Sequence, residues 1–452
     1  MKTKIVIISD ILDSQRMDVA YFINGDIGAR ELVPLSKYVD IKGGKRIPKG
    51  ESFASEKTEF LYLRLSDVND VENIDYDALK CISEELFYRL KRYEIVNNQI
   101  VFSIAGTIGK VFVVKNIPKE KRVVLTENCA MLQPKNDEIL SDYISILLNC
   151  GFVQKQIEQN RIQTTIPKIG LDRIAKLKVP EIPLLGKQQE IVEIYSNAQK
   201  ARMNKIQEAK KLLDGIDDYL LEIFRINKNQ FGAIINTPKI QKLSSIIGSR
   251  FDPYQFHPER TEMIEEIKKG KWCRLKDVRN DVKVVSSTVP SDAIYIGMEN
   301  IDGYSGDYIQ SKENETISSA AKFKKGDILF PKLRPYLNKV HRSQFNGYCS
   351  TEFHVFEAHD IHPDYLSIIL RSSMILAQTK HLMTGNTLPR LQTTDVDNLI
   401  LPIPDIAIQE EIVKHVYTIK DHAKQLHQEG DALLEKAKQK VEKMIIDKLW
   451  QS

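Results

Sequence analysis

The sequence predicts an α+β fold in which two similar globular units are joined by two long antiparallel coiled-coil helices, forming a pseudo-two-fold internal repeat. Two observations predict it: the second half of the chain repeats the first, and each half ends in a long helical pattern of apolar residues. At 452 residues the chain has room for about three domains. Its 42% hydrophobic and 28% charged residues are typical of a folded, soluble protein.

The repeat is a series of sequence blocks that recur in the same order in both halves. The matched blocks are Arg16–Asp18 with Arg250–Asp252, Phe60–Val68 with Ala293–Ile301, Gln99–Phe102 with Asp327–Phe330, Thr126–Glu127 with Thr351–Glu352, Asp142–Leu148 with Asp364–Leu370, Ile166–Lys168 with Leu388–Arg390, and Gln188–Val192 with Gln409–Val413. The spacing between matches drifts while their order holds, as expected if insertions and deletions fall in surface loops. We interpret this as one fold that occurs twice with different loops.

Within each half, short β-type runs broken by turn residues precede a proline-punctuated connector and then a long helix. The connectors are Val179–Pro183 and Leu401–Pro404, and prolines make such segments extended. Apolar residues then recur every three or four positions, from Ile191 to Ile223 and from Ile412 to Leu449. Sustained spacing of this kind predicts coiled-coil helices, and two such helices in one chain bury both stripes by pairing antiparallel.

These patterns divide the chain into four segments: a first globular domain over 1–183, a central helix over 184–228, a second globular domain over 229–404 and a C-terminal helix over 405–452. The alternative is that each helix packs on its own globular domain as an ordinary surface helix. Its length argues against this, because helices of globular proteins average far fewer residues.

Charge and motif content limit the function. Lys and Arg total 65 and Asp and Glu 61, so the formal net charge of +4 does not by itself require a nucleic-acid partner. Five scattered cysteines and the absence of a long apolar run predict reduced thiols in a cytoplasmic protein without a membrane helix. We find no glycine-rich AdoMet loop, zinc motif or nucleophile elbow. The sequence therefore predicts a chain without catalytic residues and without a metal site.

Two divergent globular units on an antiparallel helical spacer resemble the specificity subunit of type I restriction–modification enzymes. The resemblance covers about Arg16 to Leu449, and its signatures are the proline-rich steps into Gln188–Val192 and Gln409–Val413 together with the Gly106–Lys110 segment. It implies two target-recognition domains, each reading one half of a split sequence in double-stranded DNA. It also implies that the helices set the spacing between the halves and dock the methyltransferase subunits.

The same resemblance implies two methyltransferase (modification) subunits and two restriction (motor–nuclease) subunits as partners. No cofactor is then expected on this chain, because AdoMet, ATP and Mg would belong to the partner subunits. Two alternatives stay open: the recognition subunit of an enzyme with a fused methyltransferase–nuclease partner, and a coiled-coil scaffold that does not bind DNA.

Basic, glycine-bearing loops of the first half are the candidate DNA contacts there. Glycine lets the backbone approach phosphates, and Lys and Arg release counterions on binding. The candidates are Lys42, Lys45, Arg46 and Lys49 in one loop, Thr107 and Lys110 in a second, and Gln163, Thr164 and Lys168 before the connector. The alternatives are a solvated loop for the first group, a structural hairpin turn for the second, and a structural turn marked by Pro167 for the third.

The second half lacks the Gly-x-x-Gly-Lys segment and has a basic, aromatic-bearing run in its place. Arginine can pair with guanine and asparagine with adenine in the major groove. The candidates are Lys332, Arg334, Tyr336, Asn338 and Lys339, with Thr387 and Arg390 before the second connector. The alternative is a strand in which Leu333 and Leu337 are buried and the charges only meet solvent.

Overall fold

The computed structural model describes residues 32–68, 74–161, 167–227, 253–282, 284–290, 292–310, 319–383 and 389–451. It contains two compact units. Unit 1 comprises Met1–Lys205 with Gln428–Ser452, and unit 2 comprises Ile206–His427. Each unit therefore holds one globular part and one portion of both long helices, whereas the sequence pattern suggested treating each helix as a separate segment.

Unit 1 is built from short strands and helices around two four-stranded sheets. The strands are Val33–Pro34 (β1), Val39–Gly43 (β2), Phe60–Leu63 (β3), Lys80–Cys81 (β4), Glu94–Ile95 (β5), Ile100–Ser103 (β6), Val111–Val113 (β7), Arg122–Leu125 (β8), Cys129–Pro134 (β9) and Lys178–Val179 (β10). The short helices are Glu84–Leu90 (α1), Ser141–Asn149 (α2), Gly151–Gln159 (α3) and Leu171–Ala175 (α4). One sheet has the order β2-β9-β6-β7 and the other β4-β3-β8-β5, and β1 pairs with β10.

The long helix Leu185–Ile223 (α5) leads from unit 1 into unit 2, which repeats the same plan. Its short helices are Pro258–Ile267 (α6), Pro363–Arg371 (α7), Ser373–Thr379 (α8) and Thr393–Asp397 (α9), and Ile406–Gln451 (α10) is the second long helix. The strands are Trp272–Arg274 (β11), Arg279–Asp281 (β12), Val285–Ser286 (β13), Tyr295–Ile296 (β14), Ala320–Phe323 (β15), Ile328–Pro331 (β16), His341–Arg342 (β17), Gly347–Cys349 (β18), Phe353–Ala358 (β19) and Ile400–Pro402 (β20).

The strand order confirms the internal repeat. The sheet β12-β19-β16-β17 matches β2-β9-β6-β7, and the pair β11-β20 matches β1-β10. In the other sheet, the parallel pair β14/β18 matches the parallel pair β3/β8. The outer strand differs: β4 joins β3 in unit 1, whereas β13 joins β15 in unit 2. The repeat thus preserves three strands of this sheet and has the fourth strand on opposite edges in the two units.

Register explains why the repeated blocks are apolar. In unit 1 Ile100 lies opposite Leu132, and in unit 2 Ile328 lies opposite Phe356. All four side chains are fully buried. Residues directly opposite on one face of an antiparallel pair contact each other. Each pair also belongs to the same core cluster as residues of the following helix, α2 in unit 1 and α7 in unit 2, so this face of the sheet packs against that helix.

The two long helices run antiparallel within each unit, as the sequence predicted. In unit 1 Arg202 Nε bonds Asp431 Oδ1 at 2.7 Å and Lys205 Nζ bonds Glu429 Oε2 at 2.5 Å, so rising numbers on α5 meet falling numbers on α10. In unit 2 Ala209 packs against residues of α10 in the same sense. Within the described ranges, every helix is too short or too polar to span a bilayer.

The apolar stripe predicted for α10 includes Leu433 and Met444, and the structure departs from it at both: Met444 is half-buried and its neighbour Ile445 is buried. We expected Leu433 to be buried, but it is 41% exposed, and its neighbour Leu434 packs into the unit 1 core instead. From Ala423 to Ile445 the stripe then takes six steps over 22 residues (445 − 423), about 3.67 residues per turn, through Leu426, Gly430, Leu434, Ala437 and Val441. The stripe therefore stays on one face without the slip that a strict heptad requires.

Near the start of each long helix, a buried glutamine forms hydrogen bonds to the globular part and to the connector before the helix. Gln188 donates from Nε2 to the carbonyls of Glu138 and Pro183 at 2.8 Å and accepts from the Leu140 N–H at 2.9 Å. Gln409 donates to the Pro404 carbonyl and accepts from the His362 N–H. The repeated Gln-x-Glu-Ile-Val block is thus a structural joint.

Replacing Gln188 with alanine is expected to lower the free energy of unfolding by about 3 kcal/mol, because three backbone groups at a buried site lose their partner. Thermal and urea unfolding, followed by circular dichroism, measure the change. The matched control is Gln189→Ala, since the adjacent Gln189 is exposed. Equal stability of the two variants would contradict the structural role.

Candidate nucleic-acid interface

The first candidate element is the hairpin between β6 and β7 in unit 1. Its two glycines, Gly106 and Gly109, have φ of +74° and +84°, a conformation that side-chain-bearing residues rarely adopt. The Gly106 N–H donates to the Pro167 carbonyl at 3.1 Å, and Gly109 N–H to the Ser103 carbonyl at 3.0 Å. Thr107 is exposed at the tip. Glycine therefore has a structural role here, and Thr107 is the side chain that the turn presents.

The hairpin between β16 and β17 in unit 2 is one residue longer, but it too has a left-handed residue at each end of its turn. Arg334 and Asn338 have φ of +46° and +53°, and the Arg334 N–H donates to the Pro389 carbonyl at 2.9 Å, as Gly106 does to Pro167. Residues 335–337 form a 3₁₀ turn, so the alternative of a continuing strand is wrong. Arg334 is exposed and Tyr336 is 48% exposed.

The left-handed conformation costs a non-glycine residue roughly 1–2 kcal/mol. Strain of this kind persists where the surroundings hold it, and it is commonest at binding sites. Glycine stands at both matched positions of unit 1, yet unit 2 has side chains there. The hairpin of unit 2 thus accepts strain and gains an outward-facing guanidinium on Arg334.

The loop after β2 lies against the turn between β8 and β9. The Lys45 N–H donates to the Leu125 carbonyl at 3.0 Å, and a Cβ on Gly44 would meet the Thr126 carbonyl oxygen at 2.0 Å. Only glycine fits at position 44, so the loop is held close to that turn. Lys45, Arg46 and Lys49 are exposed on it.

A glutamate in each unit pairs with an exposed arginine. Glu127 Oε1 accepts from Arg46 Nε at 2.6 Å, and Glu352 accepts two hydrogen bonds from Arg390, at 2.9 and 2.8 Å. The bonds from Arg390 lower the pKa of Glu352. For Glu127, burial opposes ionisation, but the hydrogen bond from Arg46 and others outweigh it and lower its pKa. Both carboxylates are therefore charged at neutral pH.

These two glutamates are the site residues that the sequence reasoning missed. Each belongs to a repeated Thr-Glu pair, Thr126–Glu127 and Thr351–Glu352, and that repetition was the available signal. The acid is common to both units while its arginine comes from a different element in each. An exposed ion pair of this kind contributes little stability, so phosphate can compete for the arginine at small cost.

Backbone hydrogen bonds join these elements into one face in each unit. In unit 1 the Ile104 N–H donates to the Asn128 carbonyl at 2.8 Å, and Ala105 bridges to Lys168. In unit 2 the Lys332 N–H donates to the Glu352 carbonyl at 2.8 Å, and Leu333 bridges to Arg390. We call these surfaces the hairpin face of unit 1 (residues 44–46, 104–109, 126–128, 167–168) and the hairpin face of unit 2 (residues 332–338, 351–352, 389–391).

The structure separates the predicted contact residues into two groups. Several have side chains exposed on or beside these faces: Lys45, Arg46, Lys49, Thr107, Lys168, Arg334, Tyr336 and Arg390. Others direct polar atoms at the protein itself, as Lys42 does to the Arg92 carbonyl, Lys110 to Val68, Lys332 to Thr351, Asn338 to Arg371 and Lys339 to Met298. Gln163, Thr164 and Thr387 lie outside the described residues.

Asn338 departs most from its predicted role as a base reader. Its Nδ2 donates to the Arg371 carbonyl at 2.9 Å, and its Oδ1 is buried. Its amide therefore faces the fold, where it helps to hold the left-handed turn. DNA contact by Asn338 stays a prediction without geometric support in this structure.

One cluster in unit 2 has residue types that bind metals: His257, Glu259 and His381. The two imidazole rings are stacked, with centroids 3.5 Å apart and planes 14° apart, and Lys380 Nζ bonds Glu259 at 2.6 Å. A metal lies close to the plane of each ligating imidazole, and two nearly parallel rings stacked 3.5 Å apart direct their nitrogen lone pairs along separate planes. In this arrangement the two histidine rings pack against each other, and the Lys380 ammonium neutralises the Glu259 carboxylate.

The fold and the two faces define a duplicated α+β protein whose halves share one loop scaffold and differ in the side chains it presents. The chain matches the type I restriction modification DNA specificity domain twice, over residues 31–212 and 261–436. The chain therefore belongs to that family.

Relatives of this chain have related descriptions. The type I restriction enzyme EcoDI specificity subunit of Escherichia coli is 22% identical over 275 residues, 58% of this chain and 59% of the relative. The EcoBI specificity subunit of the same organism is 27% identical over 130 residues, 29% of this chain and 26% of the relative. The chain thus matches less than two thirds of the length of either relative. The solved S subunit of a type-I restriction-modification system from M. genitalium is 14% identical, with 93% of this chain and 98% of that chain covered and a TM-score of 0.40.

Proposed function

We propose that this protein is the sequence-specific double-stranded DNA recognition subunit of a type I restriction–modification complex. Each unit reads one half of a bipartite target, and the two long helices set the spacing and dock methyltransferase subunits. The chain contributes no catalytic group, and AdoMet, ATP and Mg belong to the two methyltransferase and two restriction subunits of the complex. The proposal takes these partners from the family and their number from the resemblance.

One observation carries the proposal: a hairpin with a left-handed residue at each end of its turn occurs at the same place in both units and presents different side chains. A scaffold with only a structural task has no reason to keep the turn at 106–109 and at 334–338 while exchanging glycine and threonine for arginine and tyrosine. Two readers of two different half-sites require this combination. Direct readout depends on which donors and acceptors reach the base edges, whereas the backbone only has to place them.

The charges on the faces support binding to a polyanion. On the hairpin face of unit 1 and the loop that continues from it, Lys45, Lys49 and Lys168 are exposed cations, and Arg46 is 78% exposed beside Glu127. Lysines on such loops neutralise phosphates without reading sequence. Arg334 differs from them because its fork can bond O6 and N7 of one guanine. Phosphate contacts and base contacts thus come from different residues.

The decisive experiment exchanges one recognition unit. The complex of this chain with its methyltransferase subunits is incubated with AdoMet and genomic DNA, and the methylated adenines are located by single-molecule sequencing. Exchanging residues 16–180 for those of another specificity subunit is expected to change one half of the site and leave the other half intact. A simultaneous change in both halves excludes modular reading. Absence of any sequence-selective complex with DNA favours a coiled-coil scaffold that does not bind DNA. If the chain instead assembles with a single fused methyltransferase–nuclease, it is the recognition subunit of that kind of enzyme.

Removing two lysines of unit 1 provides a quantitative test. The double variant Lys45→Ala and Lys49→Ala is expected to weaken binding equally on cognate and unrelated DNA and to reduce the salt slope by roughly 1.8, since each phosphate contact contributes about 0.9. Gel shifts of the assembled complex between low and moderate salt measure the slope. Lys119→Ala, an exposed lysine on another loop, is the matched control. A selective loss on cognate DNA alone would assign the lysines to base contacts instead.

A further inference from the structure

Arg371 lies beneath the hairpin face of unit 2 and bonds only to backbone carbonyls. It ends α7, and its guanidinium donates to Asn338 O at 2.7 Å, Val340 O at 3.1 Å, Gly303 O at 3.1 Å and Tyr304 O at 2.8 Å. In return the Asn338 amide donates to the Arg371 carbonyl at 2.9 Å. One side chain thus ties the end of the hairpin to the loop at 303–304.

The site is closely fitted to a charged guanidinium. A Cβ added to Gly306 would meet Arg371 Nη1 at 2.6 Å, and Gly306 has φ of +77°. Burial lowers the pKa of Arg371 to about 10, while the carboxylates of Asp307 and Asp302 raise it. The group therefore stays protonated at neutral pH. Hydrogen bonds from an ionised donor are about twice as strong as neutral ones, so four of them make a stiff anchor.

Unit 1 has a counterpart at the matching position. Asn149 ends α2 as Arg371 ends α7, and its Nδ2 donates to the Val111 carbonyl at 2.9 Å, as Arg371 does to Val340. Asn149 is too short to reach the hairpin tip. There Gln154 of α3 donates to the Gly109 carbonyl at 2.9 Å instead. Both hairpins are therefore held from below by helix residues, but the donors differ.

The need for an anchor is greater in unit 2. Gly106 and Gly109 adopt left-handed angles at no steric cost, whereas Arg334 and Asn338 hold them only if the surroundings enforce them. Arg371 donates from its guanidinium to the Asn338 carbonyl and accepts at its own carbonyl from the Asn338 amide, so it helps to hold Asn338 in the left-handed conformation. It does not lie on the exposed turn itself, which leaves Arg334 and Tyr336 as the groups that meet a ligand.

We propose that Arg371 is a positioning residue for DNA reading by unit 2: it fixes the hairpin that carries Arg334 and thereby sets base selectivity at one half-site without contacting DNA. This inference rests on the proposed function. A residue that only stabilised the fold would not change base selectivity at one half-site, whereas Arg371 at the end of α7 would.

The test uses Arg371→Asn, which introduces the side chain found at the matching position of unit 1, in the complex with its methyltransferase subunits. Methylation rates are measured on DNA substrates carrying single base changes in either half of the target. We expect discrimination to fall about tenfold in the half read by unit 2, equivalent to loss of one base contact, and to be unchanged in the other half. Exchange of residues 16–180 identifies which half belongs to which unit.

Gln154→Ala is the matched control in unit 1, and it is expected to relax only the opposite half-site. Arg371→Lys keeps the cation and one donor group, so it should give a smaller loss and serves if the asparagine variant does not fold. Wild-type discrimination by Arg371→Lys and by a folded Arg371→Asn overturns the inference. A uniform loss over both halves, with a lowered melting temperature, assigns Arg371 to stability alone and also overturns it. Failure of the wild-type complex to discriminate in either half counts against the proposed function instead.

Discussion

Arg334→Ala is expected to reduce discrimination at one position of one half-site by roughly 5- to 150-fold. The physical reason is that a bidentate arginine–guanine pair contributes about 1–3 kcal/mol of selectivity. Arg334 is exposed on a hairpin whose strained turn directs it outward. Competition binding of the assembled complex to targets that differ by one base pair measures the effect, and the other half-site is expected to be read normally.

Arg334→Lys is the sharper companion to that variant. Lysine keeps the charge and meets the same left-handed backbone, but it lacks the planar fork. Binding to unrelated DNA should therefore be preserved while base discrimination falls nearly as far as in Arg334→Ala. If lysine instead restores full discrimination, Arg334 contacts a phosphate and another residue reads the base.

Ala209→Asp is expected to destabilise unit 2 by more than about 4 kcal/mol. Ala209 is fully buried where α5 meets α10, against Ala423 and Leu426. A carboxylate there loses its hydration without gaining a partner, and the narrow contact between two alanines has no room for it. Urea unfolding monitored by circular dichroism measures the loss, and the antiparallel packing in unit 2 should fail first.

The control for Ala209→Asp is Glu208→Ala on the adjacent, exposed position. A surface change of this kind is expected to alter stability by less than about 0.5 kcal/mol. A small effect of Ala209→Asp, close to that of the control, would mean that the two helices do not pack tightly at this point. The prediction depends only on contacts within unit 2.

Local patterns predicted the larger part of the fold. The alternation of apolar runs and turn residues, their repetition, and the long helical spacing each depend on residues close in the chain, and the structure confirms all three. The stripe of α10 departed because Leu433 and Leu434 are equivalent in a sequence pattern. Only the partner surface in the unit 1 core decides which of two adjacent leucines is buried.

The candidate site was less predictable, and the lysines show why. Lys110, Lys332 and Lys339 are all basic loop residues, yet each donates to a backbone carbonyl of a residue distant in sequence: Val68, Thr351 and Met298. Lys45 and Lys49 are also lysines in a loop with glycine and proline neighbours, but their side chains are exposed. Composition gives the charge of a loop, but the direction of each side chain depends on acceptors supplied by other segments.

The internal repeat and the helical spacing of apolar residues by themselves determined that this protein is a duplicated α+β chain with two long antiparallel helices. Those features are local, because periodicity and block order need no knowledge of distant contacts. Tertiary structure alone decided which cations face outward, that Glu127 and Glu352 hold two of the arginines, and that Arg334 and Asn338 replace glycines at left-handed positions. The physical reason is that hydrogen-bond partners and backbone strain are set where segments far apart in the chain meet.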